Sequence, residues 1–142
     1  MPEKRYELFE HTADLGLYIY GQTVEELFAV AVEALICQLV DLKDVRPVEE
    51  RCLKVEAGSR EELLRSWMAE VLYLYNGEGW ITAGVEIKSL SDGSVSAILL
   101  GEPVDYHRHR IKGEVKAVTW HRLRIEWLAE RGNWRASVVC DV

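Results

Sequence analysis

The sequence lacks the marks of several large protein classes. Its cysteines, Cys37, Cys52 and Cys140, are odd in number and far apart, with no C-x-x-C. That excludes a disulfide framework and a cysteine-based zinc site, and buried free thiols in a reducing compartment are expected. Basic residues are outnumbered: 17 lysines and arginines stand against 24 aspartates and glutamates, a formal net charge of −7. Such a balance disfavours an extended phosphate-binding face and suits divalent cations or a basic patch on a partner. The opening residues, MPEKRYELFE, contain no apolar core of a signal peptide. The longest apolar run, from Leu27 to Val40, is short for a bilayer span and is interrupted by Glu33 and Gln38. A cytoplasmic protein is therefore expected. G-x-S-x-G, P-loop, G-x-G-x-x-G and H-E-x-x-H patterns are all missing, which removes the commonest nucleotide-binding and hydrolytic signatures.

What is present reads as one domain over residues 1–142, since no repeat, low-complexity segment or linker divides the chain. A chain of this length buries roughly two-thirds of its unfolded surface. Leu15, Leu17 and Ile19 alternate with Gly16, Tyr18 and Tyr20, the period of a strand. Thr23 with Glu26 forms a capping box before a helix that is apolar around most of its circumference and so belongs in the core. Leu53, Val55 and Ala57 make a short strand. Ser59 with Glu62 opens a second helix, in which Leu64, Trp67, Met68, Val71 and Tyr75 form the buried stripe and Glu61 can pair with Arg65. Asn76-Gly77 is the expected helix stop. Asp92-Gly93 marks a hairpin. HRHRIKGE is an irregular basic stretch, a long strand is expected from Val115 to about Trp127, and Trp134, Ala136, Val138 and Cys140 form the inward set of a last strand. The fold class is α+β: a largely antiparallel β-sheet with two main α-helices packed on it.

The chemistry concentrates at two places that this pattern brings together. Asp14 stands at the lip of the first clear strand, and Asp141 ends the last one, facing away from its packed set. The carboxylate of Val142 adds a third anion. If the two strands are antiparallel neighbours, these carboxylates converge, and like charges that close disfavour joint ionisation unless a cation sits among them. An all-oxygen donor set with an open side suits Ca²⁺, with magnesium or manganese as alternatives. Lys116, in VKAVTWH, is a cation placed among apolar neighbours, on the face of Val118 and Trp120. His11 and His121 could serve as a general base or a transition-metal ligand.

These residues also carry a resemblance. HTADLGLYIYG at 11–21, EPVDYHRH at 102–109, EVKAVTWH at 114–121 and the terminal VVCDV are similar to motifs of the archease family. The resemblance implies a small α+β protein that assists, without itself catalysing, the GTP- and manganese-dependent RNA ligase that joins tRNA exon halves. It implies promotion of the ligase's guanylylation and multiple turnover. It further implies a metal site, usually assigned to calcium, at Asp14, Asp141 and the carboxylate of Val142, with Lys116 as the functional lysine. His11, Asp105, His109 and His121 match the motifs without an assigned role. Trp120 departs from the tyrosine expected at its position.

Two other readings arise from the residues. One is a metal-dependent hydrolase using Asp14, Asp141 and a histidine. The other is a direct RNA-binding module using Arg108, Arg110, Lys112 and Lys116, against which the net charge argues.

Overall fold

The computed structural model describes residues 5–11 and 14–142, with the side chains of Glu10 and His11 outside the described set. Eight strands and two helices follow one another as β1 (Tyr6–His11), β2 (Asp14–Gly21), α1 (Val24–Leu39), β3 (Glu49–Glu56), α2 (Arg60–Glu78), β4 (Trp80–Leu90), β5 (Ser94–Pro103), β6 (Ala117–Val118), β7 (Arg124–Leu128) and β8 (Asn133–Asp141). All strand pairings are antiparallel. The strands divide into two sheets. The larger runs β1-β2-β8-β6, with β7 also pairing β8, and the smaller runs β3-β5-β4.

Helix α1 packs against β2 of the larger sheet and β4 of the smaller one. That position explains its composition: Leu27, Phe28, Val30, Ala31, Val32, Ala34, Leu35, Ile36 and Leu39 are all buried, so apolar residues are needed around most of the helix. Both expected N-caps form. Thr23 Oγ1 accepts the Glu26 amide at 3.0 Å, and Ser59 Oγ accepts the Glu62 amide at 3.2 Å. The Trp67 indole of α2 donates to the Phe28 carbonyl of α1 at 2.9 Å, satisfying a fully buried N–H where the helices meet.

Several expectations need correction. Tyr6 to His11 form an additional strand, β1, pairing antiparallel with Ile19 to Asp14. Helix α2 runs past Asn76-Gly77 to Glu78, where Gly79 takes the left-handed cap at φ 63°. Asn76 acts across the fold instead, its side-chain amide donating to the Val115 carbonyl at 2.9 Å. Arg65 lies 3.8 Å over the Trp120 ring and donates to the Val118 carbonyl at 3.5 Å, in place of the expected pairing with Glu61. Of the three cysteines, all free, Cys140 is buried, Cys37 half-buried and Cys52 exposed. Burial first, and then the charge of Asp141, push the Cys140 thiol up to about 12, so it is inert.

The expected long strand from Val115 to Trp127 is two short ones. Thr119 uses its hydroxyl to donate to Val139 O and to accept from the His121 amide, and Leu123 N closes a turn onto Trp120 O. Arg122 within that turn has φ 55°. The alternation expected around Lys116 therefore fails: Val115 and Val118 are both buried while Lys116 is exposed.

Among the described residues, no helix is long and apolar enough to cross a membrane.

Candidate functional site

Strand order brings the two ends of the chain's chemistry together. Strand β2 pairs with β8 in a register that runs from Gly21 opposite Trp134 to Leu15 opposite Cys140. One further step sets Asp14, the first residue of β2, beside Asp141, the last of β8. Directly opposed residues on one sheet face have Cβ atoms roughly 5 Å apart. Leu17, Ile19, Ala136, Val138 and Cys140 all point into the core. By the strand period of two, Asp14 and Asp141 share the outer face. The same row extends to His11 on β1, which pairs with Asp14, and to Ala117 on β6, which pairs with Asp141.

Lys116 is tied to this row through its backbone, its amide donating to Asp141 O at 2.7 Å. Its approach is fixed by the segment before it. Val40 bridges Ile111, the Lys112 amide donates to Leu39 O at 2.8 Å, Asn76 holds the Val115 carbonyl and the Val115 side chain is buried. The C-terminal ends of both helices thus deliver Lys116 to the edge where Asp14 and Asp141 meet. Asp14 is half-buried, whereas Asp141, Lys116 and Val142 are exposed.

The donor set fits a hard divalent cation in kind: two side-chain carboxylates on neighbouring strands, with the Val142 carboxylate one residue on. Among the described residues no group of three or more His, Cys, Asp and Glu side chains is arranged to hold a metal. Asp14 and Asp141 are two neighbouring carboxylates on the outer face, with Asp141 exposed.

The motif EPVDYHRH has a different role. Glu102, nearly fully buried, accepts from the Arg46 amide at 2.6 Å, from Arg108 and from His109 Nε2 at 2.9 Å. The Asp105 amide donates to His109 Nδ1 at 2.9 Å, which fixes the tautomer with its proton on Nε2. Arg108 also donates to Asp44 O at 2.6 Å. Burial opposes ionisation of Glu102, but hydrogen bonds from Arg108, the Arg46 amide and His109 together outweigh it and lower the carboxyl to about 2. These contacts form a closed clasp that ties the segment after β5 to the turn after α1.

The accessory residues matched by motif therefore separate. His109 is committed to Glu102 and Asp105. Asp105 caps its own turn, its carboxylate accepting the His107 amide at 3.0 Å. His121 is exposed beyond the Thr119 turn. His11 reaches the acidic row by its backbone, and its side chain lies outside the described residues. With Arg108 spent in the clasp, the basic set of Arg108, Arg110, Lys112 and Lys116 loses a member. Nothing in the local sequence pattern marks Glu102 or Asn76. Asn76 meets Val115 39 residues on and Glu102 meets the Arg46 amide 56 residues back, although Arg108 and His109 lie within the same motif as Glu102.

The family model described as "Archease protein family (MTH1598/TM1083)" matches residues 6–142. The chain belongs to the archease family. It is 39% identical to a protein archease of Thermococcus gammatolerans over 98% of this chain and 99% of that one. It is 36% identical to the protein archease of Methanopyrus kandleri, over 96% and 99%. The solution structure of Methanobacterium thermoautotrophicum protein 1598 aligns with a TM-score of 0.77 at 31% identity, covering 97% of this chain and 99% of that one. A crystal structure from Thermotoga maritima, described as an archease and possible chaperone, shares the fold with a TM-score of 0.67 at 22% identity, covering 100% and 98%. The archease fold is thus the α+β arrangement described above, and the row through Asp14 and Asp141 crosses four strands of its larger sheet.

Proposed function

We propose that this protein is a non-catalytic activator of the GTP-dependent tRNA-splicing RNA ligase, promoting guanylylation of the ligase and its multiple turnover. The observation that carries this reading is the strand register that gathers Asp14, Asp141 and the Lys116 backbone into one exposed row. Asp14, Asp141 and the Val142 carboxylate would hold a divalent cation, Ca²⁺ by the hardness of the donors. When bound, it supplies positive charge that lets the three carboxylates remain ionised side by side.

The chain's own residues do the rest. Asp14 and Asp141 are held by paired strands, so their positions are set before any partner arrives. Lys116 presents a cation beside them on a segment pinned by Asn76 and by the end of α1. An activator shifts a conformational equilibrium only by binding one state better than another. The exposed acidic edge and Lys116 would do so by contacting the ligase conformation competent for guanylylation. For ligase activation RNA enters only through the ligase, and the protein works in the cytoplasm.

The test is multiple-turnover RNA ligation by the ligase of the same organism, with GTP and manganese, in the presence of substoichiometric protein. Turnover beyond the first round is expected with the wild type. At least a tenfold loss is expected with Asp141→Ala or Lys116→Ala, each folded as judged by its circular dichroism spectrum. A ligase indifferent to the wild-type protein, or fully activated by both variants, sinks the proposal.

A further inference from the structure

The outer face of the larger sheet also carries a cleft of opposite sign. Passing along β8 from Asp141, the side chains on this face are Val139, Ser137 and Arg135. Tyr18 of β2 and Arg124 of β7 flank Ser137 in register. A small residue between two large ones makes the face dip. The cleft measures about 320 Å³, within the roughly 300–1,000 Å³ of small-molecule sites. Phe9 closes one side. Its ring lies over Gly16, where a Cβ would come within 2.5 Å of it, and its centroid is 4.5 Å from that of Tyr18. Arg122 and Leu123 close the other.

Three arginines and one acid line this cleft, a local excess of two positive charges in a chain whose net charge is −7. Glu126 receives Arg135 at 2.5 Å and Arg124 at 3.3 Å. Arg135 also lies 4.7 Å over the Tyr18 ring, and its buried Nε has no hydrogen-bond partner among the described residues. Arg122 adds an independent sign. Among the described residues it is the one non-glycine with positive φ, in a turn position that glycine or asparagine suits better. Backbone strain retained at an exposed arginine points to a use for its side chain.

We propose that this cleft binds a nucleotide unit, its phosphate held by Arg122 and Arg124 and its base lying against Phe9 and Tyr18. Guanidinium groups match phosphate oxygens in a bidentate geometry, and aromatic faces accept any base. A carboxylate-bearing peptide would satisfy the arginines but leave the paired rings without a role. The inference stands apart from the ligase reading, because it requires neither the ligase nor a cation at Asp14 and Asp141.

The experiment is fluorescence anisotropy of a labelled five-nucleotide single-stranded RNA with the isolated full chain, in competition with AMP, GMP or a polyglutamate peptide. Saturable binding is expected, weakened at least tenfold by Arg122→Gly combined with Arg124→Ala. For one phosphate contact on a single strand, raising salt from 50 to 200 mM weakens binding by roughly 2.6-fold. Because Arg122→Gly relieves the positive φ, the melting temperature of that variant stays at or above the wild-type value, which separates lost binding from lost fold. Displacement by AMP or GMP identifies a free nucleotide as sufficient. Displacement only by unlabelled RNA identifies a nucleotide within a chain, and both results bear the proposal out. Absence of saturable binding, indifference to the arginine substitutions, or displacement by polyglutamate as effective as by nucleotide would overturn it.

Discussion

Two charged clusters in this protein contain similar groups and live in opposite surroundings. Around Glu102, an acid, an arginine and a histidine are closed upon one another, with Glu102 and His109 almost wholly buried. At the sheet edge, Asp14, Asp141 and Lys116 are gathered by backbone pairing, and Asp141 and Lys116 face water. In the first cluster each charge is matched inside the fold, so its worth is structural. In the second the backbone sets the position of the charges, and Asp141 and Lys116 are exposed. Acid, base and histidine together do not by themselves make a site.

The comparison can be broken most forcefully from the buried side. Glu102→Ala leaves His109 Nε2 and the Arg46 amide without their acceptor and Arg108 with Asp44 O alone, and removing one partner of a buried pair costs about 3 to 5 kcal/mol. Urea denaturation should show that loss, and a cost below about 1 kcal/mol would mean that the clasp contributes little. Acid provides a second probe. The folded-state pKa of Glu102 is lowered from 4.5 to about 2. Its contribution is therefore fully present above pH 4.5, shrinks as the unfolded chain takes up protons below that, and is gone near pH 2. The shift corresponds to about 3 kcal/mol at most. Melting temperatures measured between pH 5 and 2 should fall more steeply for the wild type than for Glu102→Gln, and parallel curves would remove Glu102 from the account. The smallest effect belongs to the open cluster. Asp141→Asn without added metal should change stability by less than about 0.5 kcal/mol, as exposed substitutions usually do, and a large loss would make Asp141 a structural residue like Glu102.

Much of the frame was legible because it rests on short-range rules. Alternation along Leu15–Ile19 and Trp134–Cys140 identified β2 and β8, and the Thr23 and Ser59 boxes marked both helix starts. Asp14 and Asp141 could be singled out because each ends a strand on its outward face. What escaped was non-local or locally ambiguous. Strand β1 has an exposed Leu8 between half-buried Glu7 and Phe9, so its pattern does not declare a packed face. The run from Val115 to Trp127 has strand-like alternation, yet the Thr119 hydroxyl and the left-handed Arg122 break it. Asn76-Gly77 looked like a helix stop, but Asn76 spends its amide on Val115 and the cap falls to Gly79. Glu102 opens the EPVDYHRH motif, but its role as a buried acceptor was not legible, since it depends on the distant amide of Arg46. The cleft of Arg122, Arg124 and Arg135 is built from several strands and a turn, and only the fold assembles it.

The measurement that bears most directly on the open cluster is calorimetric titration of Ca²⁺ into the metal-free wild type and into Asp141→Asn. The account predicts one saturable site in the wild type and loss of that binding in the variant, with the folded spectrum unchanged. Equal binding by both proteins, or no binding by the wild type to Ca²⁺, Mg²⁺ or Mn²⁺, would contradict it.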